Sequence, residues 1–160
     1  MLTKTKTVTL IQGVFDKTFF DLLKKNGAKD VFVLEGRPKL LAAKNSCREL
    51  LKRKMTPTLI TDNMAGFLFY KDFVKEVWVA YQSKEKECVV CHIGALVLGV
   101  LGKKHKVAVY AYPTKEKMGM EGKPQDIFRF QGKKIAPAGI KGHVPLIECL
   151  PREYITKVYA

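Results

Sequence analysis

Five polar residues stand where a strand gives way to a turn: Gln12, Arg37, Asp62, Gln82 and Thr114. Together they offer a guanidinium, a carboxylate, two carboxamides and a hydroxyl. Such a set can bind an anion and its attached hydroxyls. Arg37 sits in the turn Glu35-Gly36-Arg37-Pro38, where a guanidinium can hold a phosphate bidentately. An ion pair with Glu35 or Glu49 accounts for it equally well. Lys44, one helical turn along, adds a second cation. Asp62 could act as a carboxylate acid–base, but a cap formed by Asp62-Asn63 at the start of a helix is the weightier reading.

Cysteine and histidine offer a second possibility. Cys88-Val-Val-Cys91-His92 matches the spacing of covalent haem attachment and of dithiol redox pairs. Haem attachment goes with export, and MLTKTKTVTL has neither a secretory apolar core nor a cleavage site. Thiols near a helix start have a lowered pKa, which would suit redox or metal use. Two small core side chains explain the pair more simply. No metal and no cofactor is expected. His105 and His143 lie among basic residues without ligand-like spacing and read as solvated. The four cysteines are expected to be free thiols.

The elements that would position these residues alternate. Thr7–Gln12, Asp30–Leu34, Thr58–Ile60, Val77–Ala80 and Val107–Tyr112 read as strands. Between them, helices are expected from Asp16 or Thr18 to Asn26 with Gly27 as stop, from Leu40 to Lys54, after Asp62, and from Ile93 to Lys104. Leu40, Leu41, Ala43, Cys47, Leu50 and Leu51 recur at helical spacing. The run from Val89 to Leu101 reads as a buried helix. Pro113–Pro124 is a polar loop where the sheet ends. A hairpin about Gln131-Gly132, a helical turn at Pro151 and a last strand within Ile155–Tyr159 follow. Strand–helix alternation implies a parallel sheet, whose carboxyl ends open on one face. The five strand-end residues should therefore share one crevice.

Composition narrows the classes. A 47% hydrophobic content in 160 residues excludes disorder and suffices for one domain with a core. No apolar run reaches the roughly 20 residues of a spanning helix, so no membrane partner is expected and a cytoplasmic protein is. Lys and Arg number 29 against 15 acids, a net +14 that attracts phosphate. The basic clusters are spread along the chain and do not interleave with aromatics as in single-strand binders. Nucleic-acid binding is possible but not favoured.

Several segments converge on one family. Glu35-Gly36-Arg37-Pro38 is similar to an E-T/S-R-P turn, and Thr58–Gly66, TLITDNMAG, to a third-strand segment. Ile93-Gly94 looks like the start of an I-G-T helix, and Ala111-Tyr112-Pro113-Thr114 like an A-A-P-T strand end. Ile135–Thr156 holds A-P-x-G-I-K and P-x-E-x-I-T. In this order the pieces resemble the carboxyl-terminal half of the initiation factor 2B-related family. That family includes methylthioribose-1-phosphate isomerase, ribose-1,5-bisphosphate isomerase and the regulatory subunits of translation initiation factor 2B. The resemblance implies a Rossmann-like three-layer α/β/α domain over residues 1–160, with no room for the family's amino-terminal helical domain. It also implies a homodimer, since members pair through this half.

The departures bear on chemistry. The isomerases use a Cys after the first strand and an Asp in a G-A-D-R segment after the fourth. Gly13 and Gln82 stand closest to those positions here, Cys91-His92 replaces an Asn-Lys, and Leu41 lies near the family's helix-two Gln. Isomerisation of an aldose to a ketose moves a hydrogen between adjacent carbons and needs groups that exchange protons. Glycine and an amide do not. The expectation is a non-catalytic domain that binds a phosphorylated small molecule or a protein partner and self-associates, with no catalytic residue assigned. A sugar-phosphate isomerase with displaced catalytic groups is the first alternative. An RNA- or ribosome-associated basic protein is the second.

Overall fold

The computed structural model describes residues 6–160. Strand β1, Val8–Gln12, is followed by helix α1, Lys17–Lys25, and β2, Asp30–Leu34. Helix α2, Leu41–Lys52, leads to β3, Thr58–Ile60, then a 3-10 turn at Asp62–Met64 that runs into α3, Ala65–Tyr70. Next come β4, Val74–Lys84, β5, Cys88–His92, α4, Ala95–His105, and β6, Ala108–Pro113. A helical turn α5, Gln125–Phe128, precedes the hairpin of β7, Arg129–Phe130, and β8, Lys133–Lys134. Strand β9, Ile147–Pro151, a 3-10 turn at Arg152–Tyr154, and β10, Lys157–Val158, close the chain.

The strands run in the order β10-β6-β4-β1-β2-β3, all parallel. Alternation along each strand divides the core in two. Ile11, Val31, Val33, Trp78 and Ala80 face α1 and α2, packing on Phe19, Phe20, Leu23 and Leu50. Val8, Leu10, Phe32, Leu34, Val77 and Val79 face α3 and α4, packing on Leu68, Phe69, Ala95 and Leu98. This is the expected three-layer α/β/α arrangement. Trp78 anchors the first layer, its ring 4.6 Å from Tyr110, 5.2 Å from Tyr159 and 5.5 Å from Phe19.

Several expectations are corrected. Cys88–His92 is a strand, not the start of the helix. It pairs antiparallel with β4 from Tyr81 onward, on the edge that β1 leaves after Gln12 pairs with Val79. The β-branched Val89-Val90 suits that ladder, and the helix begins only after Gly94, which turns the chain at φ +101°. Strand β9, unforeseen in the sequence, pairs antiparallel with β5. That pairing brings Cys88 and Cys149 to a Cα–Cα distance of 5.7 Å, and they form a disulfide, so not all four cysteines are free. The sheet does not end at β6, because β10 pairs with it in parallel. On α2 the buried positions are Ala42, Ser46 and Leu50, while Leu51 is 58% exposed. Leu40 takes a left-handed backbone, φ +58°, and lies outside the helix. His105 is half-buried against Phe69 rather than solvated, and His143 is exposed as expected.

Helix α4 lies close to the sheet because Gly102 is buried in it. A Cβ there would press into the Val109 side chain and meet the Val107 carbonyl at 3.1 Å. Neither a β-branched strand residue nor a backbone oxygen can yield. Gly102→Ala is therefore expected to destabilise the fold by about 1–3 kcal/mol. It should lower the urea midpoint at unchanged m-value. Gly66→Ala, on α3 with open space around its Cβ, should act in the opposite direction, by up to about 1 kcal/mol.

Candidate functional site

The ends of β2 and β3 meet at the turn Glu35-Gly36-Arg37-Pro38, where the Glu35 N–H donates to the Ile60 carbonyl at 3.0 Å and the Arg37-Pro38 bond is cis. The Asp62 carboxylate holds this turn. Oδ1 accepts the Gly36 N–H at 2.9 Å and Oδ2 accepts the Arg37 N–H at 2.8 Å. Asp62 is thus not a cap, contrary to the weightier sequence reading. Asn63 does not cap either, since its Oδ1 accepts the Thr61 hydroxyl at 2.7 Å. Both carboxylate oxygens serve a neighbouring strand end, a long-range contact that spacing along the chain does not reveal.

Arg37 lays its guanidinium over the Phe130 ring, 4.3 Å from the centroid. It forms no ion pair among the described residues. Glu49 is taken by Lys52 and Arg53, at 2.6 and 2.8 Å. Glu35 stands nearby, its carboxyl held above the usual range by burial and by the charge of Asp62, against the opposing pull of Arg37. A cavity of about 470 Å³ is lined by Glu35, Arg37, Thr61, Asp62, Asn63 and Phe130. It combines one oriented cation with two carboxyls.

A second cavity, of about 460 Å³, shares Asp62 and Asn63 with the first. Its walls are mainly apolar, with Leu34, Val97, Leu98 and Leu101. Gln12 lies at its base, 2% exposed. The carboxamide donates to the Ile93 and His92 carbonyls at 2.9 and 3.3 Å, while its Oε1 is buried without a partner. A buried, unpaired acceptor bordering a cavity is a place for a ligand donor. The start of α4 is not such a place for an anion. Glu148, from β9, accepts the Gly94 and Leu96 N–H groups at 2.7 and 2.8 Å and fills that position itself.

The structure thus brings Gln12, Arg37 and Asp62 together and leaves Gln82 and Thr114 apart. The Gln82 carboxamide clamps Met118, donating to its carbonyl at 3.2 Å and accepting its N–H at 2.9 Å. Thr114 accepts the Glu116 N–H at 3.1 Å and is buried under the same loop. Lys44 is exposed on α2 and borders neither cavity. Sequence reasoning missed Phe130 and Glu148, which reach the site from distant segments, and weighed Asn63 only as a cap. It did weigh Glu35, but only as a partner for Arg37.

Gly13 lies between β1 and β4, the point where the chain's path across the sheet reverses. It takes φ +103°, and a Cβ on it would meet the Ala80 Cβ at 2.8 Å. This position excludes any side chain unless the strands move apart. Cys91 is fully buried; its thiol is pushed far up, first by burial and then by Glu148. Cys88 is tied to Cys149. The C-x-x-C-H segment therefore forms no dithiol pair.

A model of the initiation factor 2 subunit family matches residues 2–160. Methylthioribose-1-phosphate isomerase of Thermus thermophilus is 30% identical over 142 residues, 81% of this chain and 43% of that protein. Among solved structures, translation initiation factor eIF-2B subunit delta of Archaeoglobus fulgidus superposes with a TM-score of 0.81 at 23% identity, covering 94% of this chain and 50% of its own. The 5-methylthioribose 1-phosphate isomerase of Pyrococcus horikoshii gives 0.83 at 22%, covering 96% and 49%. These likenesses establish the shared fold. The chain spans about two fifths of the length of the curated relative and about half of each solved chain.

His92, at the end of β5, is buried and its Nε2 has no partner. Burial lowers its pKa. The folded protein therefore binds this proton less readily than the unfolded chain, whose histidine titrates near ~6.5. The stability from a neutral His92 is complete above that value and is lost as pH falls below it. Denaturation between about pH 6.5 and 5 should show a slope of up to about 1.4 kcal/mol per pH unit. His92→Phe is expected to flatten it.

Proposed function

The chain belongs to the initiation factor 2 subunit family, and on that premise we propose that this domain binds a phosphorylated small molecule without turning it over, and self-associates. One observation carries the non-catalytic reading. At the positions resembling the isomerases' thiol and acid stand a glycine packed against Ala80 and an amide spent on Met118. Neither exchanges protons.

The ligand reading is supported by Arg37, whose stacking on Phe130 orients it while leaving the edge of the guanidinium for an anion. The unpaired Gln12 Oε1 and the adjoining Asp62 suit hydroxyl groups. A specific observation also favours the isomerase reading. Glu35, raised in pKa beside Asp62, is a carboxyl that can exchange a proton in the same cavity. One experiment separates the two. Purified protein is titrated with methylthioribose-1-phosphate and with ribose-1,5-bisphosphate by calorimetry, and the same samples are assayed for ketose product. Binding without product is expected, with Arg37→Ala weakening it by about 1.5–3 kcal/mol. Turnover near 1 s⁻¹ that disappears in Glu35→Gln would establish the isomerase instead.

Self-association is supported by the outer face of α3 and α4. Phe67 is 53% and Val97 60% exposed, with Met64 and Val100 beside them. An apolar patch of this kind is uncommon on a free surface, and the cavity above Gln12 opens onto it through Gly66 and Val97. Sedimentation should report a dimer. Phe67→Asp with Val97→Asp should give a folded monomer, because both side chains are exposed in the single chain. A monomeric parent protein at micromolar concentration would reject this interface.

A further inference from the structure

The face opposite the cavities has a chemistry that the family reading does not use. Helices α1 to α4 all end there, and β1, β2, β4 and β6 all begin there. The register is level: Val8 pairs with Asp30 and with Val74, and Glu76 pairs with Ala108. Basic residues scattered through the sequence consequently meet. Lys29, Lys54, Lys71, Lys75, Lys104 and Lys106 are exposed and form no ion pair among the described residues. They span the starts of five neighbouring strands, roughly 20 Å at about 4.8 Å per strand. The acids nearby are largely occupied. Asp72 pairs with Lys6 at 3.0 Å, Glu153 pairs with Lys103, and Glu76 accepts from Thr9 at 3.0 Å. Asp30 alone faces the shallow hollow of about 260 Å³ that Lys6, Lys29 and Lys75 surround.

Helix dipoles favour cations at helix ends, which accounts for Lys104. It does not account for Lys29 and Lys75, which lie at strand starts. Lys54 and Lys106 stand at the carboxyl ends of α2 and α4 in left-handed backbone, at φ +60° and +55°. Glycine fits those left-handed positions with less strain, yet lysine stands at both. Beside Lys71 an aromatic ring is laid open. Tyr70 is 77% exposed, with the Lys71 Nζ 5.3 Å from its ring.

From this array we infer that the strand-start face is a docking surface for the phosphate backbone of a nucleic acid, contacted without regard to sequence. Lysine is a point-charge phosphate binder. A row of this length matches a run of backbone phosphates, and Tyr70 offers a stacking surface for an unpaired base at its edge. The surface is separate from the cavities, at the other end of the strands, so it stands or falls independently of the ligand reading.

The test is fluorescence anisotropy with a labelled RNA duplex of about 20 base pairs and mixed sequence that carries a short unpaired end. Titrations run from about 50 to 300 mM salt. Five or six neutralised phosphates give a slope of log K against log salt near −5. The triple variant Lys29→Glu, Lys71→Glu, Lys75→Glu should weaken binding at least about tenfold and flatten the slope by about 3. Lys133→Glu, Lys134→Glu, Lys141→Glu removes the same net charge from the other end of the molecule and should change affinity less than about threefold. Circular dichroism checks folding. If the first triple does not fold, the corresponding Lys→Gln triple carries the same comparison. Equal loss in both triples would reduce the effect to net charge and overturn the assignment. So would the absence of binding, or equally tight binding to phosphatidylserine vesicles at the same ionic strength.

Discussion

Parallel strands cannot be joined by a tight turn; each pair needs a crossover of a dozen or more residues, here a helix. That requirement orders the whole molecule. With β10-β6-β4-β1-β2-β3 all parallel, each of these six strands ends on one face and helices α1 to α4 end on the other. Polar strand-end residues are carried to the first face, where Gln12, Arg37 and Asp62 line adjoining cavities. The basic residues that follow helices are carried to the second. The two ends of the sheet therefore differ in chemistry because of chain direction alone.

Within the first face, close contact between β1 and β4 limits what can be placed at the centre. Gly13 and Ala80 approach so nearly that no Cβ fits between them. A side chain is excluded there, and the polar group at this strand end is its neighbour Gln12, whose carboxamide donates to the Ile93 carbonyl. A second constraint comes from β9. Glu148 occupies the N–H groups at the start of α4, so the positive end of that helix is already neutralised from within. The oriented cation at this end of the sheet is Arg37, which Asp62 positions through the backbone and Phe130 through its ring.

The β5–β9 ladder ties these parts together. It extends the sheet past the end of β1, carries the Cys88–Cys149 disulfide, and presents Leu150 to the small surface of Gly99 on α4. Helix α4 is thus seated along one face, by Val109 beneath Gly102 and by Leu150 against Gly99. Its remaining face, Val97 and Val100, stays uncovered beside Phe67 of α3. The apolar outer surface is a consequence of the helix being almost entirely apolar while only part of its circumference meets the sheet.

Much of this could be read from residue order. The alternation of apolar strands with helical spacing dictated the α/β class, because period 2 and period 3.6 bury different sets of side chains. The bounds of β2 and β3, the stop at Gly27 and the turn at Gln131-Gly132 followed from local chemistry, as did the placement of Gln12, Arg37 and Asp62 at strand ends. Four features were decided only by tertiary structure, since each depends on residues far apart in the chain. Asp62 serves the turn at Gly36 rather than its own helix. Phe130 supports Arg37 from a segment far along the chain. Cys88 meets Cys149 because β9 pairs with β5, a strand that reads locally as part of a helix. The lysines look dispersed along the sequence, and only the common direction of the crossovers gathers them on one face.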